Sequence, residues 1–138
     1  MSSLSGDATP FYRYSRTQAI DDGVLVPTTL LVADEDLARQ AGFKWPIAVT
    51  SSVARLLEPS EKEIQGDGQS TKGRLWDVLM LLRHRMAASS SGQPLSFHVG
   101  MYMDRDGRKA RSVDIDLWVA IDTTDGYPAL TIMLPEDD

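Results

Sequence analysis

Residues 95–134 run LSFHVGMYM (95–103), DRDGRKARS (104–112), VDIDLWVAID (113–122), TTDGYP (123–128) and ALTIML (129–134). In the first stretch Leu95, Phe97, Val99, Met101 and Met103 alternate with Ser96, His98, Gly100 and Tyr102. In the second, Val113, Ile115, Leu117, Val119 and Ile121 alternate with Asp114, Asp116, Trp118 and Ala120. In the third, Leu130, Ile132 and Leu134 alternate with Ala129, Thr131 and Met133. A period of two over three consecutive segments predicts antiparallel strands with one dry face. The expected unit is a three-stranded meander at about 95–103, 112–122 and 128–134.

Register follows from parity, because a slip of one residue turns every apolar side chain to the wrong face. Odd positions of the first strand must meet odd positions of the second. A three-residue loop at Arg105-Asp106-Gly107 meets that demand and pairs Val99 with Val113 and His98 with Asp114. Odd positions of the second strand must meet even positions of the third. Asp125-Gly126, a favoured two-residue turn, pairs Ile121 with Leu130, Val119 with Ile132, and Trp118 with Met133.

Upstream of the meander, Ser70 or Thr71 opens a long helix expected over 71–88. Leu75, Leu79, Leu82 and Met86 fall on one stripe with Val78, suited to cover the dry face of the sheet. The class is therefore α+β. Short helices and short extended pieces precede it. Ser15 and Gln18 form a capping box for a helix over about 16–22, ended at Gly23. Val24-Leu25-Val26 before Pro27 reads as extended, and as an edge strand if in a sheet. Asp34 is expected to cap a second helix that ends before Gly42. Ile47-Ala48-Val49 is extended, and Thr50 or Ser51 caps a third helix through Leu57. Residues 58–73 read as a connecting loop with one possible helical turn after Ser60. Residues 1–13 are expected to be a loose arm, and 14–138 one domain.

The chain has 138 residues, 14 Lys plus Arg, 20 Asp plus Glu, a formal net charge of -6, no cysteine and two histidines. That length fits one domain. The absence of cysteine removes disulfides, thiolate metal sites and cysteine nucleophiles, and two histidines cannot make a three-histidine zinc site. No apolar run is long enough to span a bilayer, and no signal peptide is visible, so the cytoplasm is the expected compartment. The acidic total disfavours a nucleic-acid coat, which needs clustered cations.

Four segments together carry a resemblance: Tyr14 to Val26 (YSRTQAIDDGVLV), Ala41 to Thr50 (AGFKWPIAVT), Gly73 to Arg83 (GRLWDVLMLLR) and Thr131 to Asp138 (TIMLPEDD). In this order they resemble a family of small proteins of unknown function, encoded largely on bacterial plasmids and integrative elements. The resemblance covers nearly the whole chain from Tyr14. It implies a bacterial cytoplasm and an accessory role for a mobile element, and such accessory proteins often act against host defence or on regulation. It implies no catalytic role for any residue.

The candidate sites are few. His98 and Asp114, neighbours in the expected register, form half of an acid–base device or a decorated surface pair. Asp104-Arg105-Asp106-Gly107 opens like a calcium loop but lacks the later ligands, and turn chemistry accounts for it. Residues 66–73 sit before a helix without a phosphate-loop order. No cofactor or metal site is therefore expected. Arg105, Arg108, Lys109 and Arg111 gather at one hairpin tip, as a contact for phosphate or an acidic partner, or as a solvated tip that blocks edge pairing. Tyr102, Trp118 and Met133 lie on the polar side of the alternation. Either they form an exposed aromatic anchor for a partner, or the N-terminal half folds over them as a second core layer, burying Phe43, Trp45, Ile47, Val49, Leu56 and Leu57. Asp34, Glu35, Asp36 and the terminal Glu136, Asp137 and Asp138 are acidic clusters, either a negative face for a basic partner or helix-end and tail charge. The reading that results is a non-enzymatic protein acting by protein contact. A small enzyme or ligand binder built on His98 and Asp114, and a nucleic-acid binder built on the 105–111 tip, are the alternatives.

Overall fold

The computed structural model describes residues 15–88, 95–103, 111–123 and 126–137. The elements, in chain order, are α1 (Arg16–Asp21), β1 (Leu25–Pro27), α2 (Thr28–Leu31), α3 (Leu37–Gln40), β2 (Ile47–Thr50), α4 (Ser51–Leu57), α5 (Glu61–Asp67), α6 (Thr71–Ala88), β3 (Leu95–Met103), β4 (Arg111–Asp122) and β5 (Ala129–Met133). A 3-10 turn at Pro135–Asp137 follows. The expected N-terminal arm and the tip at 104–110 lie outside the described residues. Among the described residues no helix is long and apolar enough to cross a membrane.

The meander is part of a larger sheet. Five strands stand in the order β1-β2-β5-β4-β3, so the class is α+β as expected but the sheet is mixed. β2 pairs β5 in parallel, with Val49 against Ile132, and β1 closes the far edge antiparallel to β2. Parallel pairing joins segments far apart in sequence and leaves no turn signal between them. It was therefore invisible in the alternation of 95–134.

The second hairpin keeps the expected register: Ile121 meets Leu130, Val119 meets Ile132, and Trp118 meets Met133. Gly126 donates its N–H to the Thr123 carbonyl at 3.0 Å and takes a left-handed φ of 88°. The first hairpin is a correction. Val99 pairs with Ile115 rather than Val113, and His98 with Asp116 rather than Asp114. A slip of two residues keeps every side chain on its face, so hydrophobic parity cannot detect it. Only the position of the loop centre, one residue further along, distinguishes the two registers, and the ladder ends at Met103 opposite Arg111.

One core lies between the sheet and the helices. Leu75, Val78, Leu79 and Leu82 of α6 pack with Phe97, Val99, Leu117, Val119, Leu130 and Ile132. Ile47, Val49, Val53 and Leu57 from the N-terminal half enter this same core, and Phe43 and Leu56 pack against it. They do not form a second layer over Trp118. Among the described residues the outer face of the sheet is instead covered at one end, where Ala19 and Ile20 of α1 rest on Leu25 and Ala48. Arg16 fastens this helix. Its guanidinium is buried and donates to Thr131 Oγ1 and to the Leu130 carbonyl, both at 2.6 Å, with Asp122 at 3.5 Å.

Local chemistry sets the helix bounds. Ser15 and Gln18 form the capping box of α1. Thr50 caps α4. Asp36, not Asp34, caps α3, because the helix begins where Leu37 and Ala38 turn into the core. The stretch 58–73 contains a two-turn helix rather than one turn: Ser60 and Glu63 form a second capping box, and Gly68 ends α5 in the left-handed conformation. The i, i+3 spacing of Ser60 and Glu63 was a readable signal of it. Ser70 accepts from the Gly73 N–H at 2.9 Å and starts α6.

Candidate functional site

The part of the outer face that α1 leaves bare is formed by β3 and the first half of β4. Even-numbered side chains of both strands point there: Ser96 and His98 from β3, and Ser112, Asp114, Asp116 and Trp118 from β4, with Met133 beside Trp118. Trp118 is 37% exposed, in contrast to the buried Val119 next to it. Trp118 and Met133 are cross-strand neighbours, as the parity argument required.

His98 Nδ1 contacts Asp116 Oδ1, and the two side chains are 77% and 60% exposed. Both side chains are largely exposed, so solvent screens the pair. A shallow cleft beside Asp116 is lined by Leu56, Asp114, Ile115, Asp116, Leu134, Pro135 and Glu136. Asp114 lies across from Gly100 instead of His98. A Cβ on Gly100 would sit 2.9 Å from Ser112 Oγ, closer than van der Waals contact, and 4.0 Å from Asp114 Oδ1, so the glycine lets the Ser112 hydroxyl approach the strand closely.

The N-terminal acidic cluster is engaged largely within the fold. Glu35 accepts from Gln40 at 3.3 Å and pairs with Lys72 at 2.5 Å. The Lys72 ammonium, and then the Gln40 amide, hold the Glu35 carboxyl below its ordinary value. Asp36 accepts from the Arg39 N–H and lies 3.7 Å from its guanidinium. Asp34 is exposed.

Asp137 is a staple rather than a free tail charge. It accepts from Thr50 Oγ1 at 2.7 Å, Ser52 Oγ at 3.0 Å and the Leu134 N–H at 2.9 Å, and so ties the C-terminal turn to the start of α4. Burial pushes its pKa up, but the Leu134 amide and the two hydroxyls outweigh this and leave it below the ordinary value. Glu136 is exposed. Asp138, Arg105, Arg108 and Lys109 lie outside the described residues, and of Tyr102 and Arg111 only the backbone is described.

The sequence reading missed the buried Arg74–Glu63 pair, 3.3 Å apart, which locks α5 against α6 while Arg74 also donates to the Leu56 carbonyl. It also missed the Arg16 anchor. The signal for that anchor lay in the small outward residues Ala48, Ala129 and Thr131, which leave room for something to pack close. Among the described residues no group of three or more His, Asp or Glu stands ready to hold a metal ion. No family model, curated protein or solved structure matches the chain.

Proposed function

We propose that this chain is a non-enzymatic accessory protein of a bacterial mobile element, acting by contact with another protein through the bare outer face of β3 and β4. The observation that carries the reading is Trp118. It stands half-exposed on a flat sheet surface beside Met133, with Asp116 and Asp114 on the same strand. An aromatic anchor in a field of carboxylates suits a partner that presents an apolar socket rimmed by lysine or arginine. The mobile-element role rests on the sequence resemblance. The clusters at 34–36 and 136–137 contribute less to the contact, because Glu35, Asp36 and Asp137 already have partners in the fold. The openness of the His98–Asp116 pair favours contact over catalysis.

The test is a photo-crosslinking residue placed at position 118 in bacterial cells, with the same probe at Met80 on the solvent side of α6 as the control. A discrete adduct from position 118 that Asp116→Lys abolishes is the expected result. Equal adducts from both positions, or none from 118, would overturn the reading.

A further inference from the structure

Among the described residues the long edge strand of the sheet is β3, with no strand beyond it, and its backbone polarity can be worked out. The Leu130 N–H donates to the Pro46 carbonyl at 2.9 Å, so Leu130 turns its peptide groups toward β2. In a strand alternate residues turn theirs to opposite sides. Met133 therefore faces β4, and its partner Trp118 faces back toward β5. Trp118 is also opposite Ser96. Ser96, and with it His98 and Gly100, must then direct N–H and C=O away from β4, to the open edge. A second bond agrees: Arg85 Nε reaches the Ser96 carbonyl at 3.3 Å from outside the ladder.

This edge is nine residues long and pairs with β4 without a bulge. It contains no proline, lysine, arginine, aspartate or glutamate, the usual devices that keep an edge from pairing. Among the described residues only Arg85 bonds to its outward groups. Edges of this kind are templates for another strand.

We infer that a second copy of this chain pairs with β3 antiparallel about a two-fold axis at Val99, making one continuous sheet. In that register His98 faces Gly100 of the second copy, and each pair exchanges N–H···O=C bonds. The match is steric and electrostatic. Gly100 offers no side chain, so the His98 ring of the second copy can lie over it. It then meets Asp114, the next residue across. Each histidine thus lies between Asp116 of its own chain and Asp114 of the other. A further contact comes from α6. Arg74, Leu81 and Arg85 share one flank of the helix by their spacing of seven and four. Arg85 reaches Ser96 at one end of β3, and Arg74 lines a cleft with Met103 at the other. Leu81, 41% exposed, lies between them beside the middle of the free edge, where the two-fold brings it toward its counterpart. This pairing shares Asp114 and Asp116 with the face proposed above but does not use Trp118.

Sedimentation equilibrium of the full chain, from about 1 µM to about 500 µM, is the test, since self-association must strengthen by mass action. A monomer–dimer equilibrium is expected. His98→Pro removes an edge-facing N–H and spares the ladder to β4, and should weaken the dimer by about tenfold or more. Asp114→Lys, which leaves the backbone alone, should weaken it comparably, while Trp118→Ala leaves it unchanged. Amide exchange supplies a reading that needs no variant. The amides of His98 and Gly100 should become protected as concentration rises, while those of Phe97, Val99 and Met101 are protected throughout. A monomer over the whole range, a dimer indifferent to both His98→Pro and Asp114→Lys, or one broken by Trp118→Ala would overturn the inference.

Discussion

Replacing Arg16 by methionine isolates what one buried guanidinium does for α1. The helix has six residues, too few to be stable alone in water. Its apolar grip is slight: Ala19 and Ile20 against Leu25 and Ala48. Arg16 adds bonds to Thr131 Oγ1 and the Leu130 carbonyl, both at 2.6 Å. A hydrogen bond to a charged group contributes about 1.5–3 kcal/mol net, so the two are worth about 3–6 kcal/mol before the cost of desolvating the cation. Asp122 adds less, at 3.5 Å with its side chain 23% exposed. Water can solvate that carboxylate once the arginine is gone, so the full penalty of a stranded buried charge does not apply. Methionine keeps the aliphatic stem in place. The expected loss is about 3 kcal/mol, toward the low end because part of the gain offsets desolvation.

The loss should also be local first. Without the guanidinium, α1 undocks at denaturant concentrations that leave the main core intact. Urea unfolding followed by tryptophan fluorescence gives the global value, and amide exchange gives the local one. The reporters are the Gly23 and Val24 N–H groups, which bond to Ile20 and Ala19 of α1. They should lose protection in Arg16→Met while the Val99 amide keeps it. A variant that costs under about 1 kcal/mol and keeps Gly23 and Val24 protected would refute the idea that the guanidinium docks the helix.

Three further outcomes follow from the same structure. Arg74→Met removes the guanidinium 3.3 Å from the buried Glu63 carboxylate and should cost about 3–5 kcal/mol in urea unfolding; adding Glu63→Gln, which preserves the cap of Ser60, should recover part of that loss. Gly42→Ala should cost about 1–3 kcal/mol by the same assay, because Gly42 sits at φ 100° and a Cβ there would collide with the Arg83 guanidinium, which donates to the Ala41 carbonyl. Asp137 has its folded pKa depressed, so its contribution is fully present above the unfolded aspartate value of about 3.9 and is lost as pH falls through the lower folded value. Asp137→Asn should accordingly flatten the stability profile below about pH 4, measured by thermal unfolding across pH.

The residues that made the fold legible were those whose neighbours in space are also neighbours in sequence. The alternation around Trp118 and the stripe from Leu75 to Met86 act within one hairpin or one helix, and the structure agrees with them and with the register of the second hairpin, while Asp125 of its expected turn lies outside the described residues. The expected closure at Arg105-Asp106-Gly107 failed because local turn propensity and facial parity both tolerate a shift by two. β2 beside β5 was out of reach for a different reason. Ile47-Ala48-Val49 looked like any short apolar piece, and its partner lay more than eighty residues away. The acidic clusters were visible as charge, but their counterparts were not: Lys72 for Glu35, and Thr50 and Ser52 for Asp137, are brought in by tertiary packing.

The shift by two also changes what the outer face can do. In the expected register His98 and Asp114 would have satisfied each other, and Asp116 would have stood alone on the bare surface. In the observed one His98 is held by Asp116, and Asp114 is left opposite a glycine. A glycine in the middle of a strand weakens it and often marks the close approach of another group. Gly100 lies at the edge of the described sheet, where it carries no side chain to block a crossing histidine, and Asp114 stands directly opposite it. Among the described residues no donor is placed on Asp114. A second copy, turned about Val99, supplies one in His98.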